Sequence, residues 1–292
     1  MFEGFREIDV EVPGALIHAR VGGAPEGAPV LLLHGYPQTH AMWHRAAAEL
    51  ATTYAVVAAD LRGYGDSITH ETDYTFRAMA ADQVALMRAL GHERFHVIAH
   101  DRGARTAHRM VLDSADAVAS VALLDILPTL DVWAQMDAWL AMKYYHWPFL
   151  AQPGGMPERL IGSDPVGYLR DALGGLSGPL DVFDPGALAA YEQAARKPSV
   201  VAAWCGDYRA GATIDLDHDR ADEGRTADLP ALLLWGTKGV VGAQVDPLAC
   251  WRRWFPNVTG YGVPAGHFLV EEAPDLVIPA LREHLAGVTA CG

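Results

Sequence analysis

Phe95 to Arg105 reads Phe-His-Val-Ile-Ala-His-Asp-Arg-Gly-Ala-Arg, FHVIAHDRGAR. Phe95 to Ala99 is a short apolar run of the kind that forms a strand buried on both faces. Gly103 to Asp113 reads as a helix. Between them stands Asp101, with small residues two positions before it (Ala99) and two after (Gly103). A sharp strand-to-helix turn needs small neighbours at those places, and it lifts the central side chain above the sheet as a nucleophile. An Asp at this point equally suits a helix N-cap, whose carboxylate accepts backbone N–H bonds. On this stretch alone both readings stand.

Outward from it, the same alternation repeats. Pro29 to Leu33 (PVLLL), Tyr54 to Ala59 (YAVVAA) and Val118 to Leu124 (VASVALL) are further apolar runs. Phe76, Met79, Ala80, Val84, Met87 and Leu90 recur at helical spacing, and Gly91 follows as a C-terminal cap. Strand and helix in alternation, with continuously apolar strands, predict a mostly parallel sheet flanked by helices. From about Leu127 to Thr226 no strand pattern appears, only helical stretches broken by Pro and Gly, with clustered aromatics. The sheet pattern resumes at Leu229 to Trp235 and near Val258 to Val263, and a helix follows from Pro274 to Leu285. The predicted organisation is an α/β core in residues 1–126 and 227–292, interrupted by a helical cap in residues 127–226.

Open α/β sheets place their sites at the carboxyl ends of strands, and three further features stand there. His34-Gly35-Tyr36-Pro37 follows the first apolar run, where a backbone N–H can face the residue lifted at 101. The N–H of Tyr36, with that of Arg102, then forms an oxyanion hole. Gly266-His267 follows the last strand, the place of a general base. An acid to orient His267 is absent just after Trp235, where Gly-Thr-Lys-Gly-Val-Val-Gly follows. Asp125, in Leu124-Asp125-Ile126, takes the assignment, with Asp246 as the alternative.

Composition narrows the partners. The 292 residues are 51% hydrophobic and 20% charged, values of an ordinary globular chain, and the net charge is −14. Nucleic acid and anionic membrane carry the same sign and are excluded as natural partners. An anionic substrate needs a local Arg cluster working against that field. Cys205, Cys250 and Cys291 fit neither a disulfide framework nor a zinc site and read as reduced thiols. The acidic start, MFEGFREIDVEVPG, has no apolar core of the signal-peptide type, and no run reaches the roughly 20 apolar residues of a membrane helix. A cytoplasmic protein is the expectation.

Taken together, these segments resemble the α/β-hydrolase superfamily along nearly the whole chain. The stretch His100-Asp101-Arg102-Gly103-Ala104-Arg105 is similar to that of the fluoroacetate (haloacetate) dehalogenases. His34 to His44 (HGYPQTHAMWH), Leu124-Asp125-Ile126-Leu127-Pro128, His146-Trp147, Asp207-Tyr208-Arg209 and Ala265-Gly266-His267-Phe268 agree with it. In that family a Phe commonly takes the place of Tyr36; the change keeps the backbone donor and alters pocket polarity. The resemblance implies Asp101 as nucleophile, His267 as base and Asp125 as its orienting partner. It implies Arg102 and Arg105 as the clamp for a substrate carboxylate, and His146, Trp147 and Tyr208 as donors to the departing halide. It implies a small haloacid and water as the partners, no cofactor, no metal, and a homodimer.

The chemistry suits these residue types. A carboxylate can displace halide from an sp³ carbon and hold the resulting ester, whose carbonyl water then attacks. Two guanidinium groups beside it match a substrate that carries its own carboxylate. The competing readings are an epoxide hydrolase or haloalkane dehalogenase with the same Asp, and a non-catalytic ligand receptor on the same fold. Three other signals are set aside. Asp60 to Ser67 (DLRGYGDS) is a structural turn. Asp215-Leu216-Asp217-His218-Asp219 lacks the Gly and the final Glu of a calcium loop. His92, His96 and His100 run along a strand rather than converge on a metal.

Overall fold

The apolar runs hydrogen-bond side by side into a nine-stranded sheet. It is seen in a computed structural model that describes residues 1–289. The strands are β1 (Arg6–Val12), β2 (Ala15–Gly23), β3 (Pro29–Leu33), β4 (Ala55–Ala59) and β5 (Ile68–Thr69) in the first part of the chain. The others are β6 (Phe95–His100), β7 (Val118–Leu124), β8 (Ala231–Gly236) and β9 (Thr259–Val263). Their order is β1-β2-β4-β3-β6-β7-β8-β9, with β5 pairing β2 to one side. From β4 to β9 every neighbouring pair is parallel. The mostly parallel sheet expected from the sequence is present.

Two differences stand out. The sheet gains an antiparallel edge, because β2 pairs antiparallel with β1, β4 and β5. The alternation in Arg-Glu-Ile-Asp-Val-Glu-Val, residues 6–12, is the mark of a half-exposed strand. It escapes a search for continuous apolar runs. The helix expected from Gly103 begins two residues earlier, at Asp101.

The core follows from the runs themselves. Leu31, Leu32 and Leu33 on β3 are completely buried, and so are Val56 and Val57 on β4 and Ile98 on β6. Each such side chain contributes about 1.5–3 kcal/mol by leaving water. The helices of the sheet segments are α1 (His44–Leu50), α2 (Phe76–Ala89) and α3 (Asp101–Asp113). Helices α2 and α3 pack on each other and on the sheet.

Between β7 and β8 the described chain is helical: α4 (Thr129–Ala134), α5 (Ala138–Lys143), α6 (His146–Leu150), α7 (Met156–Ser163), α8 (Pro165–Ser177), α9 (Pro185–Ala195), α10 (Pro198–Gly211) and α11 (Ile214–Ala221). Proline in the first turn of α7 to α10, where no N–H is needed, explains why these helices restart after each break. The chain ends with α12 (Pro247–Trp251), α13 (Leu269–Glu272) and α14 (Pro274–Thr289).

Among the described residues no helix is long and apolar enough to cross a membrane. Cys205 is buried and Cys250 half-buried, both as free thiols. Cys291 lies outside the described residues.

Candidate active site

Strand β6 ends at His100 and helix α3 starts at Asp101 with nothing between. The turn is made by the backbone of Asp101 itself, at φ +46°. Residues with a Cβ rarely adopt that left-handed conformation, and it aims the carboxylate up from the sheet. Two glycines make the turn possible. A Cβ on Gly103 would lie 2.3 Å from the carbonyl oxygen of His34, and one on Gly35 would lie 2.5 Å from the Asp101 side chain. The helix N-cap alternative is not realised, because the Asp101 side chain does not cap α3.

The Asp101 carboxylate is 6% exposed and has two distinct oxygens. Oδ1 accepts a hydrogen bond from the Tyr36 backbone N–H at 2.8 Å. Oδ2 lies 3.8 Å from His267 Nε2. Burial opposes its ionisation, but His267, His100, Arg105 and Arg102 together bring its pKa down to about 2. It is a carboxylate at any physiological pH.

His267, between β9 and α13, turns its other nitrogen to Asp125: Nδ1 and Asp125 Oδ2 are 2.6 Å apart. Asp125 follows β7 in its own left-handed conformation, φ +51°. Its Oδ1 accepts the Gly236 N–H at 2.8 Å. Asp246 is occupied elsewhere, accepting the Leu248 N–H at the start of α12. Burial lowers the His267 pKa, but the hydrogen bond and charge of Asp125, with Asp101 behind, carry it above the usual histidine value. His100 beneath it stays neutral, its pKa pushed to about 3 by burial. Its Nε2–H donates to the His267 carbonyl at 2.9 Å and so braces the loop.

Arg102 and Arg105 leave α3 toward the same space. Arg102 is fully buried. Its Nε donates to Asp207 Oδ2 at 2.9 Å, and its Nη2 donates to Asp207 Oδ1 and to the Asp207 carbonyl. The guanidinium lies 4.2 Å from the Tyr208 ring centre and 4.5 Å from that of Phe76. Arg105 Nη1 donates to Leu127 O at 3.0 Å and Thr129 Oγ1 at 3.1 Å, and its guanidinium lies over Trp147 at 4.7 Å. Arg102 Nη1 and Arg105 Nε are buried with no partner among the described residues. Buried N–H groups left this way cost about 1–3 kcal/mol each or more, a cost that a bound acceptor would remove.

His146, Trp147 and Tyr208 come together from α6 and α10. Their rings pack edge to face at 5.5 and 5.9 Å from the Tyr208 centroid. Burial keeps His146 neutral, with a pKa near 3. Burial and the charge of Asp101 hold the Tyr208 phenol far above its usual pKa, so it remains an O–H donor. Tyr36 packs against both His146 and Tyr208. Its hydroxyl donates to Tyr168 Oη at 3.0 Å, so the extra oxygen is satisfied by α8.

A model of the alpha/beta hydrolase fold family matches residues 28–274. The chain belongs to that family. Fluoroacetate dehalogenase from Burkholderia sp is 44% identical over 292 residues, covering 98% of this chain and 95% of that one. Within the family, the hydrolase belongs with the haloacetate dehalogenases. Soluble epoxide hydrolase from Corynebacterium sp. (strain C12) is 33% identical over 90% of this chain and 92% of that one. Among solved structures, the α/β-hydrolase ALR0039 from Nostoc sp PCC 7120 superposes with a TM-score of 0.94. It is 48% identical, covering 98% of this chain and 99% of that one. A Pseudomonas aeruginosa protein named as an epoxide hydrolase, in a mutant form with bound MFA, also gives 0.94, at 44% identity, 98% and 97% coverage.

The hydrolase also contains residues that sequence reading missed. Asp207, Tyr64, Phe76 and Thr129 surround the two arginines. Only Asp207 had a signal, its place directly before Tyr208. The acidic stretch Asp215 to Asp219 lies in α11 as a helix, where Asp215 accepts the Phe76 N–H and Asp219 pairs with Arg109. Asp60 receives the backbone and ring N–H of His40 and the backbone N–H of Asp66, a closed turn behind the site.

Proposed function

We propose that the hydrolase removes halide from haloacetates, fluoroacetate among them, giving glycolate and free halide through an ester on Asp101. One observation carries this reading: an ionised Asp101 beside two arginines that each keep one buried nitrogen, Arg102 Nη1 and Arg105 Nε, without a partner among the described residues. A substrate carboxylate satisfies both, and it holds the α carbon against the nucleophile.

The two Asp101 oxygens divide the work. Oδ1 is engaged by the Tyr36 N–H, so Oδ2 is the free nucleophile. Its lone pair forms the new C–O bond as the carbon–halogen bond breaks, and the halide leaves toward His146, Trp147 and Tyr208. Each offers an N–H or O–H to the developing anion. His267 then takes a proton from water, which attacks Cγ of the ester; Asp125 holds the ring and stabilises its charge. The oxyanion that grows on Oδ1 meets the Tyr36 N–H already in place, with the Arg102 N–H beside it. Nothing in this sequence of steps calls for a metal or cofactor.

In this reading residues 127–226 form the cap that closes over the core of residues 1–126 and 227–292. The family resemblance supports a cytoplasmic homodimer. Fluoride release from fluoroacetate, read with an ion electrode, tests the proposal. Steady release well above the buffer rate is expected; binding without fluoride release would favour a receptor, and inertness toward all haloacetates would overturn the reading.

A further inference from the structure

The geometry points to a second substrate class for the same pocket: short carboxylic acids bearing an oxirane ring on the α carbon, hydrolysed to the vicinal dihydroxy acid. The inference rests on the proposed roles of Asp101 and the two arginines.

An oxirane-2-carboxylate presents the features the pocket selects. It has a carboxylate for Arg102 Nη1 and Arg105 Nε, the two unpartnered donors. It has an sp³ α carbon, and on that carbon an electronegative atom that must leave. The difference lies in the leaving atom. Halide departs as a stable anion and needs hydrogen bonds only. A ring oxygen departs as an alkoxide, a far stronger base, and needs a proton.

Tyr208 meets that need. It is 2% exposed, lies beside His146 and Trp147, and makes no hydrogen bond to another side chain among the described residues. The Tyr208 hydroxyl, kept protonated here, can hand its proton to the oxygen as the ring C–O bond breaks, while the neutral His146 imidazole holds the ring oxygen with its N–H. Relatives named as epoxide hydrolases cover nine-tenths or more of the chain at 33% and 30% identity, so the scaffold is compatible with ring opening. The buried arginine pair decides which oxiranes fit. A neutral oxirane would leave both N–H groups unsatisfied and so bind poorly.

The steps balance. Asp101 Oδ2 attacks the α carbon, the ring C–O bond breaks, and its oxygen takes the Tyr208 proton. His267 then takes one proton from water as the water oxygen attacks Asp101 Cγ. That proton passes to the departing α oxygen. The acid left on Asp101 ionises, and its proton returns through solvent to Tyr208. The net reaction is addition of one water across the ring.

The test uses the full-length protein with potassium oxirane-2-carboxylate, oxirane-2-carboxamide, fluoroacetate and chloroacetate. The expected result is formation of 2,3-dihydroxypropanoate from one enantiomer of the oxirane acid and no turnover of the amide. In H2¹⁸O over many turnovers, the label should appear at C2, because it enters Asp101 first. The Tyr208→Phe variant should lose about 100-fold or more on the oxirane acid, the usual size of a lost general acid, and much less on chloroacetate. A circular-dichroism spectrum and thermal melt matching the wild type show that this variant is folded. An inert oxirane acid alongside active haloacetates overturns this inference and leaves the dehalogenase reading intact. Label at C3 alone, or equal losses on both substrates in Tyr208→Phe, also overturns it. Turnover of the oxirane acid with inert haloacetates would instead overturn the dehalogenase reading.

Discussion

Asp207 holds one whole edge of the Arg102 guanidinium: its carboxylate binds Nε and Nη2, and its carbonyl binds Nη2 again. The Tyr64 hydroxyl donates to Asp207 Oδ2 at 2.6 Å and locks the carboxylate. Both charged side chains are fully buried. With that edge occupied, Nη1 is the guanidinium nitrogen left without a partner among the described residues. In the proposed reaction Asp207 is thereby a positioning residue, acting on substrate through Arg102.

Asp207→Asn should therefore raise KM for haloacetate by tenfold or more while changing kcat less. Breaking one side of a buried ion pair costs about 3–5 kcal/mol, so the melting temperature should fall as well. Tyr64→Phe keeps the ion pair and should show a smaller KM increase at near-normal stability. Steady-state kinetics with thermal melts checks both. A melting change with an unaltered KM would reduce Asp207 to a structural role.

The two-step scheme predicts a trapped intermediate. His267→Asn removes the base and leaves Asp101 intact. Fluoroacetate should then convert the variant to a carboxymethyl ester on Asp101, found by intact-protein mass spectrometry and peptide mapping. Asp101→Asn should give neither adduct nor fluoride. An unmodified His267→Asn protein that demonstrably binds fluoroacetate would contradict the scheme.

The pH dependence follows from His267. Asp125 raises its pKa above the usual histidine value, and only the neutral ring accepts a proton from water. Decay of the ester should therefore slow as pH falls through that raised pKa. Asp101, with a pKa of about 2, contributes no limb in this range. Rapid-quench measurement of ester decay from pH 5 to 9 should show one acid limb. In Asp125→Asn the limb should move to lower pH, with a reduced plateau.

Trp147→Phe keeps the ring over Arg105 but deletes the N–H. Fluoride is the poorest leaving group and the most strongly hydrated halide, so it depends most on donors already in place. The ratio of kcat/KM for fluoroacetate to that for chloroacetate should fall in the variant. His146 and Tyr208 should behave alike when their donors are removed. Equal losses on both substrates would mean that these side chains only shape the pocket.

Glu271, at 6% exposure, receives hydrogen bonds from Gln38 and Tyr191, joining α13 to α9. Burial raises its pKa to about 8 despite both donors. The folded state thus binds this proton more tightly than the unfolded chain, whose Glu titrates near 4.5. Stability must fall as pH rises from the unfolded value through about 8. Glu271→Gln, uncharged throughout, should melt at a temperature that gains on the wild type as pH rises from 5 to 8.5. A constant difference across that range would show that Glu271 does not titrate there.

Much of the site was legible as local pattern. The 95–105 stretch combines a continuous apolar strand, a turn with small neighbours and an interposed Asp, and each part constrains the backbone within a few residues. Gly266-His267 and Leu124-Asp125 are legible for the same reason, standing directly after apolar runs. The edge strand β1 was not, because its half-exposed alternation is weaker than a buried run, and its neighbour β2 was not, because its Ala, His, Arg and Gly residues break up any apolar run.

The sequence by itself determined the alternation of buried strands and helices in the core, the place of Asp101 between a strand and a helix, and the charge that excludes polyanionic partners. These depend on side-chain volume, backbone sterics and composition, which act locally or as a sum over the chain. Tertiary structure decided the pairings. Asp125 rather than Asp246 faces His267 because β7 lies next to β8 and the Gly236 N–H holds the carboxylate, contacts that span more than a hundred residues. Asp207 finds Arg102 across 105 positions for the same reason. A buried charge requires some partner, but only the placement of α10 against Arg102 of α3 determines which residue provides it.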